Sequence, residues 1–137
     1  MKNWKLAAAL MLSAALPSSA LATDLEVTHW WTSGGEAAAV AEFAKAFDAT
    51  GNKWVDGAIA GSGDTARPII ISRILGGNPM GATQLNPGKD ADELIAAGLM
   101  QDLTELATKE DWATILRPAS QLASCTVDGK EIGRAHV

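Results

Sequence analysis

The chain has 137 residues, 47% of them hydrophobic and 20% charged, with a formal net charge of −5. That length supports one domain with a modest core and no more. The acidic balance repels nucleic acid and anionic lipid, so neither is an expected partner.

Lys2 and Lys5 flank a short polar start, and Leu6 to Leu16 is an uninterrupted Ala/Leu-rich run. Ala20-Leu21-Ala22 then supplies a small-x-small end, which completes the pattern of a secretory signal peptide over residues 1–22. The apolar run is too short for a membrane span, which needs about 20 residues. Cleavage after Ala22 is expected to release a soluble protein outside the cytoplasm, in the periplasm of a two-membrane host. Removing Lys2 and Lys5 from the 11 basic residues leaves 9 against 16 acids, a net charge of −7.

The segment Asp24 to Trp31 ("DLEVTHWW") alternates enough to read as a first strand. Ser33-Gly34-Gly35-Glu36 has the form of a capping box. The helix behind it places Val40, Phe43 and Phe47 on one face and stops at Gly51. Lys53 to Ala60 reads as a second strand, and Gly61 to Asp64 as a loop ending in a cap at Asp64. Thr65 to Leu75 reads as a helix that tolerates Pro68 in its first turn. Gly81 to Asn86 is a short third strand and Lys89 to Ala97 a third helix. Leu99–Ala107 and Trp112–Ala123 read as further helices, the last limited by Pro118. Cys125 to Lys130 enters an Asp-Gly hairpin. Repeated strand–helix alternation predicts an α/β layer structure with a largely parallel sheet.

No catalytic constellation stands out, and an enzyme is not expected. His29 is the only histidine outside the last residues, so a histidine metal cluster is not available; no metal or cofactor is expected. A lone strand histidine reads more readily as structural than as a ligand. Cys125 is the only cysteine, an oddity for an exported chain. Gly61 to Ala66 matches no phosphate-binding glycine pattern.

Trp30 and Trp31 sit where a parallel sheet presents ligands, beyond the carboxyl ends of strands and near helix N-termini. An indole face can cover the C–H face of a sugar ring, and Glu36 can accept from hydroxyl groups. The local pattern leaves core packing and ligand contact equally open for the tryptophans, and Glu36 has a second use in the capping box.

The string "LEVTHWWTSGGE", with "AGSGDTARPIIISRILGGNPMGATQLNPGKDADELIAAGLMQDL", resembles the sugar-binding periplasmic proteins of bacterial ABC transporters, in the extracellular solute-binding protein family 1. The resemblance runs from Leu25 to Lys130. It implies a type II periplasmic-binding-protein-like lobe, incomplete here, with the sugar held in a cleft between two lobes. It further implies inner-membrane permease subunits as partners and a monomeric protein. The ligand-binding residues it implies are Trp30, Trp31, Glu36, Gln84 and Asn86. Related proteins often carry histidine or lysine where Asn86 stands, which leaves the particular sugar open. A partner for Cys125 would lie in later sequence.

The last seven residues, "EIGRAHV", match the translation of a common sequencing adapter. Residues 131–137 are therefore expected to be an artefact, and residues 23–130 a partial N-terminal lobe that does not bind sugar by itself. The alternatives are a secreted carbohydrate-active enzyme, which needs a second acid at a set distance from Glu36, and an exported structural or adhesive domain with both tryptophans in its core.

Overall fold

The structure is a computed structural model that describes residues 22–86 and 88–132. The signal-peptide expectation falls on residues 1–22 and, Ala22 apart, lies outside the described residues. So does the end of the expected artefact, from residue 133 onward.

Three strands form one parallel sheet in the order β2-β1-β3: β1 (Asp24–His29), β2 (Lys53–Ala58) and β3 (Ala82–Thr83). Leu25 pairs with Trp54 and Val27 with Asp56, so these side chains share one face with His29. Glu26 and Thr28 take the other face. Helix α1 (Gly34–Asp48) covers the first face, where the Phe47 and Trp54 rings meet edge to face at 6.4 Å. Helix α2 (Gly63–Leu75) covers the second, where the Arg73 guanidinium donates twice to the Glu26 carboxylate at 2.6 and 3.0 Å. Each parallel crossover thus supplies a helix to a different face, and the expected α/β layer structure is what forms.

The core lies between the sheet and α2. Ala66, Ile70 and Ile74 line one side of α2 and meet Leu85 and Leu94, the latter on α3 (Lys89–Ala96). Val40 is the buried residue of α1. Phe43, read as its neighbour on the core face, is 56% exposed. Only the Val40–Phe47 side of α1 reaches the sheet, because the helix meets it mainly along β2.

Several boundaries moved for local reasons. The first strand stops at His29, short of Trp31, and the third closes after Thr83, with the Gln84 N–H still donating to the Thr28 carbonyl. Helix α2 starts before Asp64, with the Thr65 and Ala66 N–H groups donating to the Ser62 carbonyl; the Asp64 carboxylate pairs with Arg67 instead of capping. The Ser33 side chain makes no capping bond at α1. The helix expected over Leu99–Ala107 starts later, as α4 (Thr104–Lys109), because Asp102 Oδ1 accepts from both the N–H and the hydroxyl of Thr104. Those two bonds hold the Asp102 carboxyl below its ordinary value. Pro118 splits the last helix into α5 (Trp112–Ile115) and α6 (Ala119–Ser124), since the residue before proline is steered away from helix. The Asp-Gly hairpin forms, with β4 (Thr126–Val127) pairing with β5 (Lys130–Glu131) around Asp128 and Gly129, both at positive φ; its return strand takes in Glu131, the first residue of the expected artefact.

The Glu26–Arg73 pair carries a pH signature. Hydrogen bonding from Arg73 holds the Glu26 carboxyl below its ordinary value of 4.5. A depressed folded-state pKa stabilises the fold above the unfolded value, and the contribution is lost as pH falls through the folded one. Glu26→Gln is therefore expected to lower urea stability at pH 7, with the gap to the parent closing below about pH 4. A constant gap from pH 7 to pH 3 would contradict this.

Candidate functional site

Once β1 ends, the backbone N–H groups of the next residues lose their ladder partners and need others. The last ladder bonds run from Ile59 N–H to the His29 carbonyl (2.8 Å) and from Gln84 N–H to the Thr28 carbonyl (2.9 Å). Two side chains take over from there. Trp30 N–H donates to Gln84 Oε1 at 3.2 Å, and Trp31 N–H donates to His29 Nδ1 at 3.2 Å. Because the Trp30 donor needs an oxygen, the orientation of the Gln84 amide is set. Its Nε2 is buried and has no hydrogen-bond partner among the described residues.

The two rings have different surroundings. Trp30 is half-buried and packs against the Ala66, Ile70, Ile74, Leu85 and Leu94 cluster. Its ring lies over Gly63, the first residue of α2: a Cβ there would fall 3.2 Å from Trp30 Cε2 and 2.8 Å from an Arg67 nitrogen. Arg67 pairs with Asp64 on its own helix and with Asp90 Oδ2 on α3, at 3.2 Å. That second contact ties the start of α3 to α2 beside the Trp30 ring.

Gly63→Ala is expected to displace the Trp30 ring by a few tenths of an ångström. The shift would register in the Trp30 indole N–H resonance, while fold stability stays within about 1 kcal/mol, the usual size of a Gly-to-Ala effect in a helix. An unmoved resonance would contradict the close approach.

Trp31 is half-buried and already outside the sheet. Its ring is therefore not bound by the strand alternation that sends neighbours to opposite faces. Glu36 stands exposed in the first turn of α1, reached from Trp31 by the Thr32–Gly35 turn. Asn86 is half-buried in the connection from β3 to α3. Of the five residues singled out from the sequence, the structure joins Trp30 and Gln84 by a hydrogen bond and continues directly into Trp31. Glu36 and Asn86 share the carboxyl edge of the sheet with them, at the entry to α1 and the exit from β3.

Sequence reasoning took His29 as structural without giving its partner, and it missed Arg67. The His29 side chain is only 7% exposed, and its Nε2 lies 2.7 Å from Asp56 Oδ1. One signal was present: Asp56 interrupts the apolar face of β2 beside Trp54, which asks for a buried polar neighbour. Among the described residues no group of three side chains is placed to hold a metal ion, and no helix is long and apolar enough to cross a membrane.

No family model matches the chain. It is 39% identical over 115 residues to a probable sugar-binding periplasmic protein of Rhizobium meliloti (strain 1021), covering 83% of this chain and 27% of that protein. A protein of the same name from Brucella suis biovar 1 (strain 1330) is 36% identical over 107 residues, covering 77% of this chain and 25% of its own length. One from Mesorhizobium japonicum is 40% identical over 90 residues, or 65% and 21% of the two chains. The chain thus spans about a quarter of the length of the curated relatives it matches. The resemblance to sugar-binding periplasmic proteins is borne out at the level of homology with part of these proteins.

Proposed function

We propose that the chain is part of the amino-terminal lobe of a periplasmic sugar-binding protein serving an ABC transporter. In this reading residues 1–22 direct export and residues 23–130 are the lobe's own sequence, with Glu131 of the tail that follows completing β5. The sugar is neutral, held by apolar contact with the indole faces and by hydrogen bonds to its hydroxyls. Trp30, Trp31, Glu36, Gln84 and Asn86 form one wall of the site, and the second lobe supplies the other. The protein binds without turnover, as a monomer, and hands the sugar to permease subunits. The isolated 137-residue chain, having one wall only, does not bind measurably.

The observation that carries this reading is the tryptophan pair, held by its own backbone at the carboxyl edge of a parallel sheet. Helix N-termini stand beside it, and the names of the relatives agree. Indole faces cover the apolar side of a sugar ring, and the acid and amide side chains bond to its hydroxyls. The direct test is calorimetric titration of the full-length protein with neutral mono- and oligosaccharides, followed by recovery of the ligand. Saturable binding with the sugar returned unaltered is expected. A hydrolysed product would favour the secreted carbohydrate-active enzyme, and no binding to any sugar would sink the proposal.

A further inference from the structure

Arg67 stands four residues after Gly63, one turn further along α2 and on the same side of the helix. Helical side chains lean back toward the N-terminus, so its guanidinium returns over the first turn. That turn follows the carboxyl end of β2, and Asp90 lies in the first turn of α3, which follows β3. The head of Arg67 is thereby brought to the same sheet edge as Trp30, with its side chain 24% exposed.

Two carboxylates fix the plane of this group. Nε lies 3.2 Å from Asp90 Oδ2 on α3, and Nη2 pairs with Asp64 Oδ1 on its own helix. A guanidinium is planar and rigid, so holding two of its nitrogens sets the third. That third nitrogen, Nη1, lies over Gly63. The point a Gly63 Cβ would occupy is 2.8 Å from Nη1, 3.2 Å from Trp30 Cε2 and 3.3 Å from Trp30 Cζ2. The missing side chain leaves one slot, bounded by the guanidinium and by the edge of the indole ring.

We infer that Arg67 is a positioning residue for the sugar platform: held by Asp64 and Asp90, its guanidinium closes the slot over Gly63 and fixes the Trp30 ring. The inference rests on the sugar-binding reading of Trp30. Two other contacts hold this residue, the bond from its N–H to Gln84 Oε1 and the packing of its ring on the Ile70 cluster. A backbone bond leaves the side-chain torsions free, and apolar contact is non-directional. The guanidinium adds a fixed stop at the Cε2–Cζ2 edge. A sugar stacking on the indole needs that face in one orientation, and a ring already held there loses less freedom on binding.

The test titrates the full-length protein with glucose, galactose, mannose and maltose, beside Arg67→Met, Asp90→Ala, Asp90→Asn and the double variant Arg67→Met/Asp90→Ala. Methionine keeps much of the stem without the guanidinium, and asparagine leaves an oxygen for Nε. Arg67→Met and Asp90→Ala are each expected to weaken binding roughly 3- to 10-fold, the effect of losing about one hydrogen bond. Residues that act as a unit do not add, so the double variant is expected to bind no more weakly than Arg67→Met. Asp90→Asn is expected to bind more tightly than Asp90→Ala.

A second measurement needs no sugar. Cε2 is bonded to the indole nitrogen, so Asp90→Ala should move the Trp30 indole N–H resonance, and should no longer do so once Arg67 is replaced. Unchanged affinity in Arg67→Met would overturn the inference, as would additive losses in the double variant. Weaker binding with the resonance unmoved by Asp90→Ala would overturn it too, because Arg67 would then act on the sugar and not through the ring. Should Arg67→Met fail to fold, the resonance shift in Asp90→Ala, and its partial reversal in Asp90→Asn, carry the same comparison. If none of the four sugars binds the parent, the functional reading fails and the resonance still decides whether Arg67 holds the ring.

Discussion

Trp31→Ala in the full-length protein is expected to weaken sugar binding by roughly 10- to 100-fold. The ring is half-buried, lies outside the sheet and follows a backbone held by His29. Removing an apolar surface of that size from a contact costs about 1.5–3 kcal/mol, and each 1.4 kcal/mol is a factor of ten. Trp30→Ala is expected to weaken binding as well, but with a second cost. Its ring also packs on the Ile70 cluster, so part of the loss appears as reduced folding stability. Calorimetry with urea unfolding on both variants separates the two effects. Full affinity retained in Trp31→Ala would remove the tryptophan platform from the proposal.

The largest effect on stability is expected from Ile70→Ala, at about 3–4 kcal/mol. Ile70 is fully buried at the centre of the core, touching both α2 and α3 neighbours beneath Trp30. Truncation leaves a cavity in a small core whose whole domain stability is on the order of 5–15 kcal/mol. The adjacent Ile69 is 45% exposed, and Ile69→Ala is expected to cost less than about 1 kcal/mol. Urea unfolding of the two variants checks this directly; equal midpoints would mean that the core is not where the packing places it.

These two isoleucines also show how far the sequence reaches. Adjacent in a run of three, they look interchangeable by composition, and Ile70/Ile74 and Ile71/Leu75 are equally spaced at i, i+4; only the first pair is buried, with Leu75 60% exposed. The same reasoning failed for Phe43, whose spacing from Val40 and Phe47 placed it on the core face. A helix that crosses the sheet along one strand buries a narrower stripe than the periodicity allows. Asp102 and Pro118 moved the later helix boundaries through strictly local chemistry, an Asx turn and a pre-proline restriction. Those shifts were legible in principle.

The candidate site divides in the same manner. Placing Trp30 and Trp31 at a strand end followed from the strand pattern and the Ser-Gly-Gly turn behind them. Gln84 and Asn86 entered through resemblance, and the structure then gave Gln84 a contact that no spacing implies. Gly63 looked like part of a flexible loop until the Trp30 ring was seen lying over it.

By itself the sequence determined the alternation of strands and helices, the parallel sheet, the Asp128-Gly129 hairpin and the tryptophan pair at an edge. Each is encoded within a few neighbouring residues, through periodicity or the conformational freedom of glycine. Only the tertiary structure decided that β1 stops at His29, that Trp30 leans on the core, and that Gln84 and His29 carry the two tryptophan N–H groups. The Trp30–Gln84 bond joins residues 54 apart and the His29–Asp56 bond residues 27 apart. Periodicity reports which face a side chain takes; the partner it meets there is set by how the strands lie side by side.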